Sequence, residues 1–219
     1  REYCGVDGGY STWAGPFAFY TDYCQASVQW TGDSIDSVET SGAITNISNT
    51  GNGTSPNGYG NFTSYAIQHY AEGEMELTVT TQWGMNVNMW IDWNNNMVFD
   101  AGELVYQSTD QQQVHTALIT VPAGTPLGNY RIRVRAGYLW STNIVPCGQS
   151  PYGEVEDYTL TVITPPTCMP PTQLGANINT LTEAELYWTS SGTLFEVEYG
   201  AQGFALGSGT LVDNITTNS

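Results

Sequence analysis

The side chains with the clearest capacity for chemistry lie in a short acidic segment, residues 92–103. Oxygen-bearing side chains recur there at loop positions 1, 3, 5 and 9, and a glutamate stands at position 12. Calcium prefers six to eight oxygen ligands, and a backbone carbonyl at position 7 extends such a set. The spacing therefore predicts a bound Ca²⁺ held by Asp92, Asn94, Asn96, Val98, Asp100 and Glu103.

One position departs from this calcium-loop pattern. Position 6, where the sharp turn usually takes glycine, is Met97. A larger residue there must adopt a strained backbone conformation, or the loop must rearrange. The alternative interpretation is a polar hairpin loop, because Asn and Asp favour turns in any case. Strand-like runs flank the segment on both sides, so it would connect two strands rather than two helices.

A second group of acids lies in residues 153–158, which read Gly-Glu-Val-Glu-Asp-Tyr. On a strand, Glu154 and Glu156 share one face and Val155 points to the other. Acids this close could form a second metal site or a general acid/base pair. The alternative is structural, because three arginines alternate along another predicted strand and could pair with them. We predict structural ion pairs among Arg131, Arg133, Arg135, Glu154, Glu156 and Asp157.

Other reactive groups are few. His69 and His115 are the only histidines, and neither belongs to a His-Glu-x-x-His motif. No Gly-x-Ser-x-Gly sequence occurs, and a chain without lysine has no Schiff-base chemistry and no P-loop. Paired carboxylates, as in glycosidases, are the one catalytic option that remains. The sequence therefore predicts a protein that is not an enzyme, with a glycosidase as the distant alternative.

Charge narrows the range of partners. The 219 residues include 21 acids and only four bases, all arginine, for a formal net charge of −17. Neutralising phosphates requires clusters of Lys and Arg, so the composition argues against nucleic acid and against anionic membranes as partners. No stretch approaches the ~20 apolar residues of a membrane span. The negative charge favours solubility and divalent cations.

The cysteines indicate the compartment. Four cysteines are widely separated, with no Cys-x-x-Cys pair to suggest zinc, and allow three disulfide connectivities. Together with abundant Asn, Gly and Thr and a calcium loop, this favours an oxidising exterior, and we expect a secreted or cell-surface protein. The chain begins at Arg1 without an initiator methionine or signal peptide. We therefore expect a mature product or a piece of a longer protein.

Alternating hydrophobic segments indicate an all-β chain. Bounded by Gly, Pro, Asn or Asp, they are typical of strands in a β-sandwich of Ig-like or jelly-roll-like type. Residues 48–61 are rich in Gly and Asn, a composition that predicts a long loop. The predicted strands are residues 75–80, 87–91, 118–121, 130–134 and 155–162.

The end of the chain differs in character. Residues 164–171 contain four prolines and predict a short, stiff linker. Residues 172–219 then resemble the first strands of a fibronectin type III domain, with Trp188 on the second strand. A half-sandwich alone would expose its core and its edges. We therefore expect the natural protein to continue past Ser219.

Several motifs in combination resemble the GEVED domain, a β-rich module of secreted and surface proteins found mostly in Bacteroidota. The resemblance covers about residues 24–162, so we assign residues 24–163 to the domain and residues 1–23 to an N-terminal extension. It implies a non-catalytic module of long proteins that often carry fibronectin type III repeats and a type IX secretion signal, and it brings no agreed ligand. The motifs are Trp90–Asn96, Phe99–Glu103, Arg131–Val134, Pro146–Cys147 and Gly153–Tyr158.

The same resemblance implies a disulfide. In that family a cysteine near the domain start commonly accompanies one just before the acidic motif, which here are Cys24 and Cys147. Such a bond would close a loop of more than a hundred residues, worth ~4 kcal/mol in the chain-entropy model. Cys168 would then pair within the fibronectin-like domain, and Cys4 with a preceding module.

The N-terminal extension is rich in aromatic residues. Rings near an acidic surface could form a stacking platform for sugars, although such residues more often cover a core edge or a neighbouring domain. The aromatic residues are Tyr3, Tyr10, Trp13, Phe17, Phe19, Tyr20 and Tyr23.

These observations lead to two functional hypotheses. The first is a calcium-stabilised module of a large secreted or surface protein, acting in adhesion or as a spacer. The alternative is an accessory module of a secreted hydrolase that binds polysaccharide or positions a catalytic domain. The expected partners are a glycan or protein ligand at the surface and neighbouring domains of the same polypeptide.

Overall fold

The computed structural model describes residues 21–138, 144–167, 171–180, 183–190 and 192–216. The chain divides into two compact units, residues 1–164 and 165–219. Predictions about several residues fall outside the described part of the chain. These residues are Tyr3, Cys4, Tyr10, Trp13, Phe17, Phe19, Tyr20 and Cys168.

The prediction of an all-β, sandwich-like chain is confirmed, since regular structure in the described residues consists of strands and two 3₁₀ turns. The turns are Pro56–Gly58 and Ala101–Glu103. The strands are β1 Ala26–Trp30, β2 Ile35–Ser41, β3 Ser48–Thr50, β4 Tyr59–His69, β5 Glu74–Ile91, β6 Leu104–Gln107, β7 Gln112–Thr120, β8 Gly128–Gly137, β9 Gly148–Tyr152, β10 Glu154–Val162, β11 Thr172–Thr180, β12 Glu183–Thr189, β13 Phe195–Tyr199 and β14 Thr210–Ile215.

Strand β5 joins the two larger sheets of the first unit into one eight-stranded set. Its first half pairs with β2 and β7, and its second half pairs with β6 and β8. Strand β3 extends the first sheet beside β2, and β10 and β4 extend the second beyond β8. The pairing of β10 with β4 is parallel, whereas the other pairs in these two sheets are antiparallel.

The sequence of β5 explains how one strand serves two sheets. Its first half alternates buried and exposed residues, as a half-solvated strand does, and residues 85–91 are buried on both faces. The pairing register shifts between Thr80 and Met85. A side chain at Gly84 would come within 2.8 Å of the Gln111 carbonyl oxygen. The predicted strands 75–80 and 87–91 are thus one strand that bends at a bulge.

The larger of two clusters of buried apolar residues combines side chains from both sheets. It combines Ile35 and Leu77 from the first sheet with Ile132, Val134 and Leu160 from the second, all of them fully buried. Alternation along β8 places Ile132 and Val134 on this inner face and the arginines of the same strand on the outer face. The predicted loop at residues 48–61 is shorter than expected, because β3 and β4 include its ends.

A parallel two-strand ribbon lies outside these sheets. Strands β1 and β9 pair from Ala26 and Gly148 onward. The Cys24–Cys147 disulfide, with 5.6 Å between the Cα atoms, joins the chain just before both strands. The bond implied by the family resemblance is therefore present, and it sets the register of the ribbon.

The second unit consists of two hairpins in the described residues. Strands β11 and β12 pair, as do β13 and β14, both in antiparallel fashion. Large apolar side chains on these strands, such as Leu174, Ile178 and Leu211, are more than half exposed. The hairpins therefore do not bury an apolar core of the kind found in the first unit.

Candidate calcium loop and ion-pair centre

The acidic loop connects β5 to β6. It begins directly after Ile91, the last residue of a strand that is fully buried at this end, and it closes in the 3₁₀ turn Ala101–Glu103. The paired strands hold the two ends of the loop beside each other, because Trp90 pairs with Leu104. The paired strands therefore fix both ends of the loop, as predicted for a loop between strands.

Asp92 organises the first half of the loop. Its side chain is fully buried, and its Oδ1 accepts a hydrogen bond from the Asn96 amide at 3.2 Å. Its Oδ2 accepts from the Met97 amide at 2.9 Å and from the Tyr23 hydroxyl at 2.7 Å. A buried carboxylate requires such donors, and the loop supplies them by curling around it.

The asparagines fold the loop locally. Asn94 Oδ1 accepts from the Asn96 amide at 3.0 Å, and Asn96 Oδ1 accepts from the Val98 amide at 2.8 Å. These are Asx turns, which bring alternate side chains to one side of the loop. The two carboxamides also lie 3.3 and 3.1 Å from Asp100 Oδ2. Positions 3, 5 and 9 of the loop therefore converge.

Met97 adopts the conformation that the calcium-loop pattern requires. Its φ is 67°, in the left-handed region that glycine usually occupies at position 6. Asn95 lies in the same region at 56°, which an asparagine tolerates well. The chain thus makes the sharp turn without the glycine. The cost is backbone strain at Met97, of the order of 1 kcal/mol.

Glu103 closes the loop from the other side. Its Oε2 accepts from the Asp100 amide at 2.9 Å and its Oε1 from the Asn94 amide at 3.3 Å. Burial raises the pKa of Glu103, these two amides lower it, and the carboxylates of Asp92 and Asp100 raise it further. The loop therefore gathers three acids that repel one another. Within the described residues, however, no three acidic, histidine or cysteine side chains form a ready-made metal cluster.

Asp157 is the centre of the ion-pair network. Its two oxygens accept from Arg133 Nε at 2.7 Å and Arg133 Nη2 at 2.8 Å, a bidentate pair. Arg131 Nη1 and the Tyr59 hydroxyl also donate to Oδ2, at 2.9 and 2.8 Å. Asp157 is fully buried and Arg133 is 1% exposed. This geometry satisfies the desolvated carboxylate completely.

Arg135 binds backbone carbonyl oxygens and not the carboxylates that the sequence predicts as its partners. It donates to the carbonyl oxygens of Val145, Cys147 and Gly148 at 2.6 to 3.1 Å. Burial without a carboxylate, together with the charge of Arg133, lowers the pKa of Arg135 to about 10. Arg133 Nη1 likewise binds the carbonyl oxygens of Cys24 and Pro146, both at 2.9 Å. The two arginines thus hold the chain on both sides of the disulfide.

The predicted pairing of arginine with Glu154 and Glu156 is not the arrangement found. In the register of β10 against β8, Arg133 lies opposite Asp157, whereas Glu154 and Glu156 lie opposite Ala136 and Val134. Residues directly opposite share a face, so the two glutamates point to the inner face, away from the arginines. Adjacency of the two strands was anticipated correctly, and the assignment of the faces was not.

Each glutamate instead holds the segment that covers the inner face of β10. Glu154 accepts from the backbone amides of Ile35 and Ser55, at 2.7 and 2.6 Å. Glu156 accepts from Asn52 Nδ2 at 2.8 Å and from the Tyr158 hydroxyl at 2.7 Å. Both carboxyl groups are buried, so they tie the 51–58 segment and the start of β2 to the sheet.

Gly153 completes the motif. Its φ is 102°, and a Cβ at this position would lie 2.0 Å from the Ala136 carbonyl oxygen. Only glycine can bring β10 this close to β8 where their pairing begins. The motif Gly153–Tyr158 therefore has a structural role at almost every position, with Val155 fully buried on the face that carries the arginines.

The burial of Glu156 makes stability depend on pH. Desolvation, reinforced by the charge of Glu154, raises its pKa to about 8, although Tyr158 and Asn52 donate to it. A raised acid pKa means that the native state binds more protons than the unfolded state. Stability is therefore full below about pH 4.5 and is lost as pH rises through the folded pKa near 8.

We expect the variant Glu156→Gln to flatten this slope. Wild-type protein should lose about 2 kcal/mol of unfolding free energy between about pH 5 and pH 7, and the variant clearly less. Glu154, whose pKa burial also raises, leaves part of the slope in place. Urea unfolding at both pH values measures the effect, and Glu76→Gln on the exposed face of β5 is the control. Equal slopes in all three proteins would show that Glu156 ionises as freely in the native state as in the unfolded one.

Tyr23 and Phe99 connect the acidic loop to the ion-pair centre. The Tyr23 ring lies under the Arg131 guanidinium, 4.6 Å from its centroid, while its hydroxyl binds Asp92. The Phe99 ring lies 4.9 Å from the Arg133 guanidinium and 5.2 Å from the Tyr23 ring. Cation–π contacts of this kind contribute roughly 0.5–2 kcal/mol. The acidic loop and the motif on β10 therefore form one connected assembly.

Several residues of this assembly were not identified from the sequence. Four of them lie in residues 49–59, which contain no recognisable motif, so residue type alone gave no signal. Tyr23 was noted only as one of several aromatic residues. The missed residues are Asn49, Asn52, Ser55, Tyr59 and Phe99 as a contact of Arg133.

The fold and these contacts define a disulfide-linked β-sandwich module built around an acidic strand motif. Residues 86–161 match the GEVED domain family, in agreement with the resemblance inferred from the motifs. The match begins within β5 and ends within β10, so it includes the acidic loop, the arginine strand and Cys147. No curated protein matches the chain. The described part of the chain contains no helix that is long and apolar enough to cross a membrane.

Proposed function

We propose that this chain is a calcium-stabilised, non-catalytic extracellular module of a large secreted or cell-surface protein, acting in adhesion or as a structural spacer. The observation that carries the proposal is the folding of the acidic loop. Side chains at positions 3, 5 and 9 converge, Asp92 and Glu103 close the two sides, and Met97 takes the left-handed turn. Three carboxylates with two amide oxygens and the Val98 carbonyl are the hard oxygen donors that calcium prefers.

The other parts of the proposal rest on the ion-pair centre and the disulfide. Glu154 and Glu156 are fully committed to amide and hydroxyl donors in the interior, an arrangement that supports a structural role for them. The Cys24–Cys147 bond supports an oxidising compartment. Residues 172–219 are proposed to begin a fibronectin type III-like domain, in which Trp188 packs edge-on against Phe195 at 5.1 Å.

Calcium should raise the melting temperature of this protein by several degrees. A ligand that binds only the native state adds about 2.7 kcal/mol when its concentration is a hundred times its Kd. Thermal unfolding followed by circular dichroism, with about 1 mM Ca²⁺ or with a chelator, measures the effect. The variant Glu103→Gln should lose most of the calcium response, and Glu76→Gln on the exposed face of β5 should keep it.

The outcome that contradicts the proposal is a melting curve that is the same with and without chelator in the wild-type protein. Magnesium serves as a further comparison, since it demands a smaller octahedral site and should stabilise the loop less. The alternative function, an accessory polysaccharide-binding module, is favoured by a polar cleft beside β1.

A further inference from the structure

A cleft of about 620 Å³ opens between the β1–β9 ribbon and the start of β4. It lies within the first unit and does not include Glu154 or Glu156. Its volume falls in the range of about 300–1,000 Å³ typical of sites for small ligands. The side chains that matter for its chemistry are Tyr23, Gln25, Asn57, Tyr59, Arg131 and Gln149.

The walls of the cleft are held in fixed positions. The Tyr23 hydroxyl is anchored on Asp92 and the Tyr59 hydroxyl on Asp157. Arg131 is held by Asp157 but keeps 24% of its side chain exposed. A guanidinium has five N–H donors, so Arg131 has donors left for a ligand. Such a preformed wall reduces the entropy lost on binding.

The rim of the cleft carries carboxamides. Gln25, Asn57 and Gln149 are exposed around it, and the side chains of Gln25 and Asn57 make no hydrogen bond to the described part of the chain. A carboxamide both donates and accepts, which suits hydroxyl groups that do the same. Asn57 itself has a left-handed backbone conformation, with φ at 56°, and is the middle residue of the 3₁₀ turn Pro56–Gly58.

The charge of the cleft argues for a neutral ligand. Arg131 and Arg133 are balanced by Asp157 beneath them and by Asp22 in the lining. The chain as a whole has a formal net charge of −17 and repels anions at long range. Few apolar side chains line the cleft, so a hydrophobic ligand would leave the polar groups of the cleft without hydrogen-bond partners.

We propose that this cleft binds a neutral, polyhydroxylated ligand, namely a short segment of an uncharged polysaccharide. Tyr23 and Tyr59 form the walls, the free donors of Arg131 lie at the base, and the carboxamides of Gln25, Asn57 and Gln149 bind hydroxyl groups at the rim. The proposal gives the adhesive function suggested above a ligand class and rests on that function, but it does not require calcium.

The test uses the whole chain and a panel of soluble neutral oligosaccharides of about four to six sugar rings, from glucan, mannan and xylan. Titration is followed by amide chemical shifts and by calorimetry, with oligogalacturonate as the anionic comparison. We expect one neutral series to bind saturably and to shift amides at residues 22–28, 57–61 and 149. The anionic sugar should bind more weakly.

Two variants and two matched controls make the test specific. Gln25→Ala and Asn57→Gly should each weaken binding about fivefold, as expected when one hydrogen bond is lost. Gln111→Ala, an exposed glutamine outside the cleft, should leave it unchanged. Asn214→Gly, an exposed asparagine with the same φ of 56°, controls for the backbone effect.

The proposal is overturned if no neutral oligosaccharide binds, if the shifted amides lie elsewhere, or if the cleft variants bind as tightly as the controls. Tighter binding of oligogalacturonate than of any neutral sugar would also overturn it, because the charge argument would then fail. A chelator-insensitive melting curve together with sugar binding in the cleft would reject the calcium proposal alone, so the two failures are distinguishable.

Discussion

Replacing Asp157 with asparagine should lower the free energy of unfolding by about 3–5 kcal/mol, because it removes one member of a buried ion pair. The buried guanidinium of Arg133 would lose its counter-charge while it remains 1% exposed. Asparagine keeps the shape of the side chain and one oxygen acceptor. The loss therefore reports the charge rather than a cavity.

The same substitution reaches further than one pair. Arg131 and Tyr59 also bind Asp157, so both would lose a charged acceptor. Arg131 lies over Tyr23, which binds Asp92 in the acidic loop. We therefore expect Asp157→Asn to weaken the proposed binding of calcium as well as stability, although Asp157 touches no residue of the loop.

The measurement is urea unfolding at neutral pH, with the slope m checked for constancy between proteins. Asp110→Asn is the matched control, since Asp110 is an exposed aspartate in the turn before β7. An exposed site of this kind should change stability by less than about 0.5 kcal/mol. If Asp157→Asn behaved like Asp110→Asn, the buried ion pair would contribute nothing that asparagine cannot replace.

The sequence predicted the structure best where a periodic pattern is compatible with only one local structure. Alternation in residues 130–134 predicts a strand with Ile132 and Val134 in the core, and both are fully buried there. The spacing of oxygen ligands in residues 92–103 predicts a loop between strands, and it does connect β5 to β6. Local patterns of this kind need no knowledge of the partner strand.

The face assignment failed because it depends on the register between strands. Glu154 and Glu156 were expected to face the arginines, which would require a pairing register shifted by an odd number of residues from the one observed. The observed register places Asp157 opposite Arg133 and so directs every second residue of the motif inward. A shift of one residue exchanges the two faces of a strand, and a single sequence does not contain that offset.

Contacts between residues that are far apart in the chain could not be predicted from the sequence either. Tyr23 binds Asp92 across 69 residues, and Glu154 binds the Ile35 amide across 119. Such pairs are created by the topology, in which β10 lies between β8 and a parallel β4. The match to the GEVED family model covers residues 86–161, whereas the residues that cover the motif lie upstream of that match.

Exchange of both Cys24 and Cys147 for serine should lower the free energy of unfolding by about 4–5 kcal/mol in the chain-entropy model. The two cysteines are 123 residues apart, so the bond restricts nearly the whole first unit in the unfolded state. Reducing agent added to the wild-type protein should give the same loss, which separates the bond from the serine side chains. Urea unfolding with and without reductant makes the comparison.

The native contacts indicate where the reduced protein should first loosen. Arg133 still binds the carbonyl oxygens of Cys24 and Pro146, and Arg135 binds that of Cys147, so the ribbon has anchors that do not depend on sulfur. Hydrogen exchange should therefore increase in β1 and β9 before it increases in β8 and β10. Uniform loss of protection in all four strands would mean that the ribbon and the sheet unfold together. A loss of stability below about 1 kcal/mol would mean that the arginine contacts, rather than the disulfide, hold the two ends of the module together.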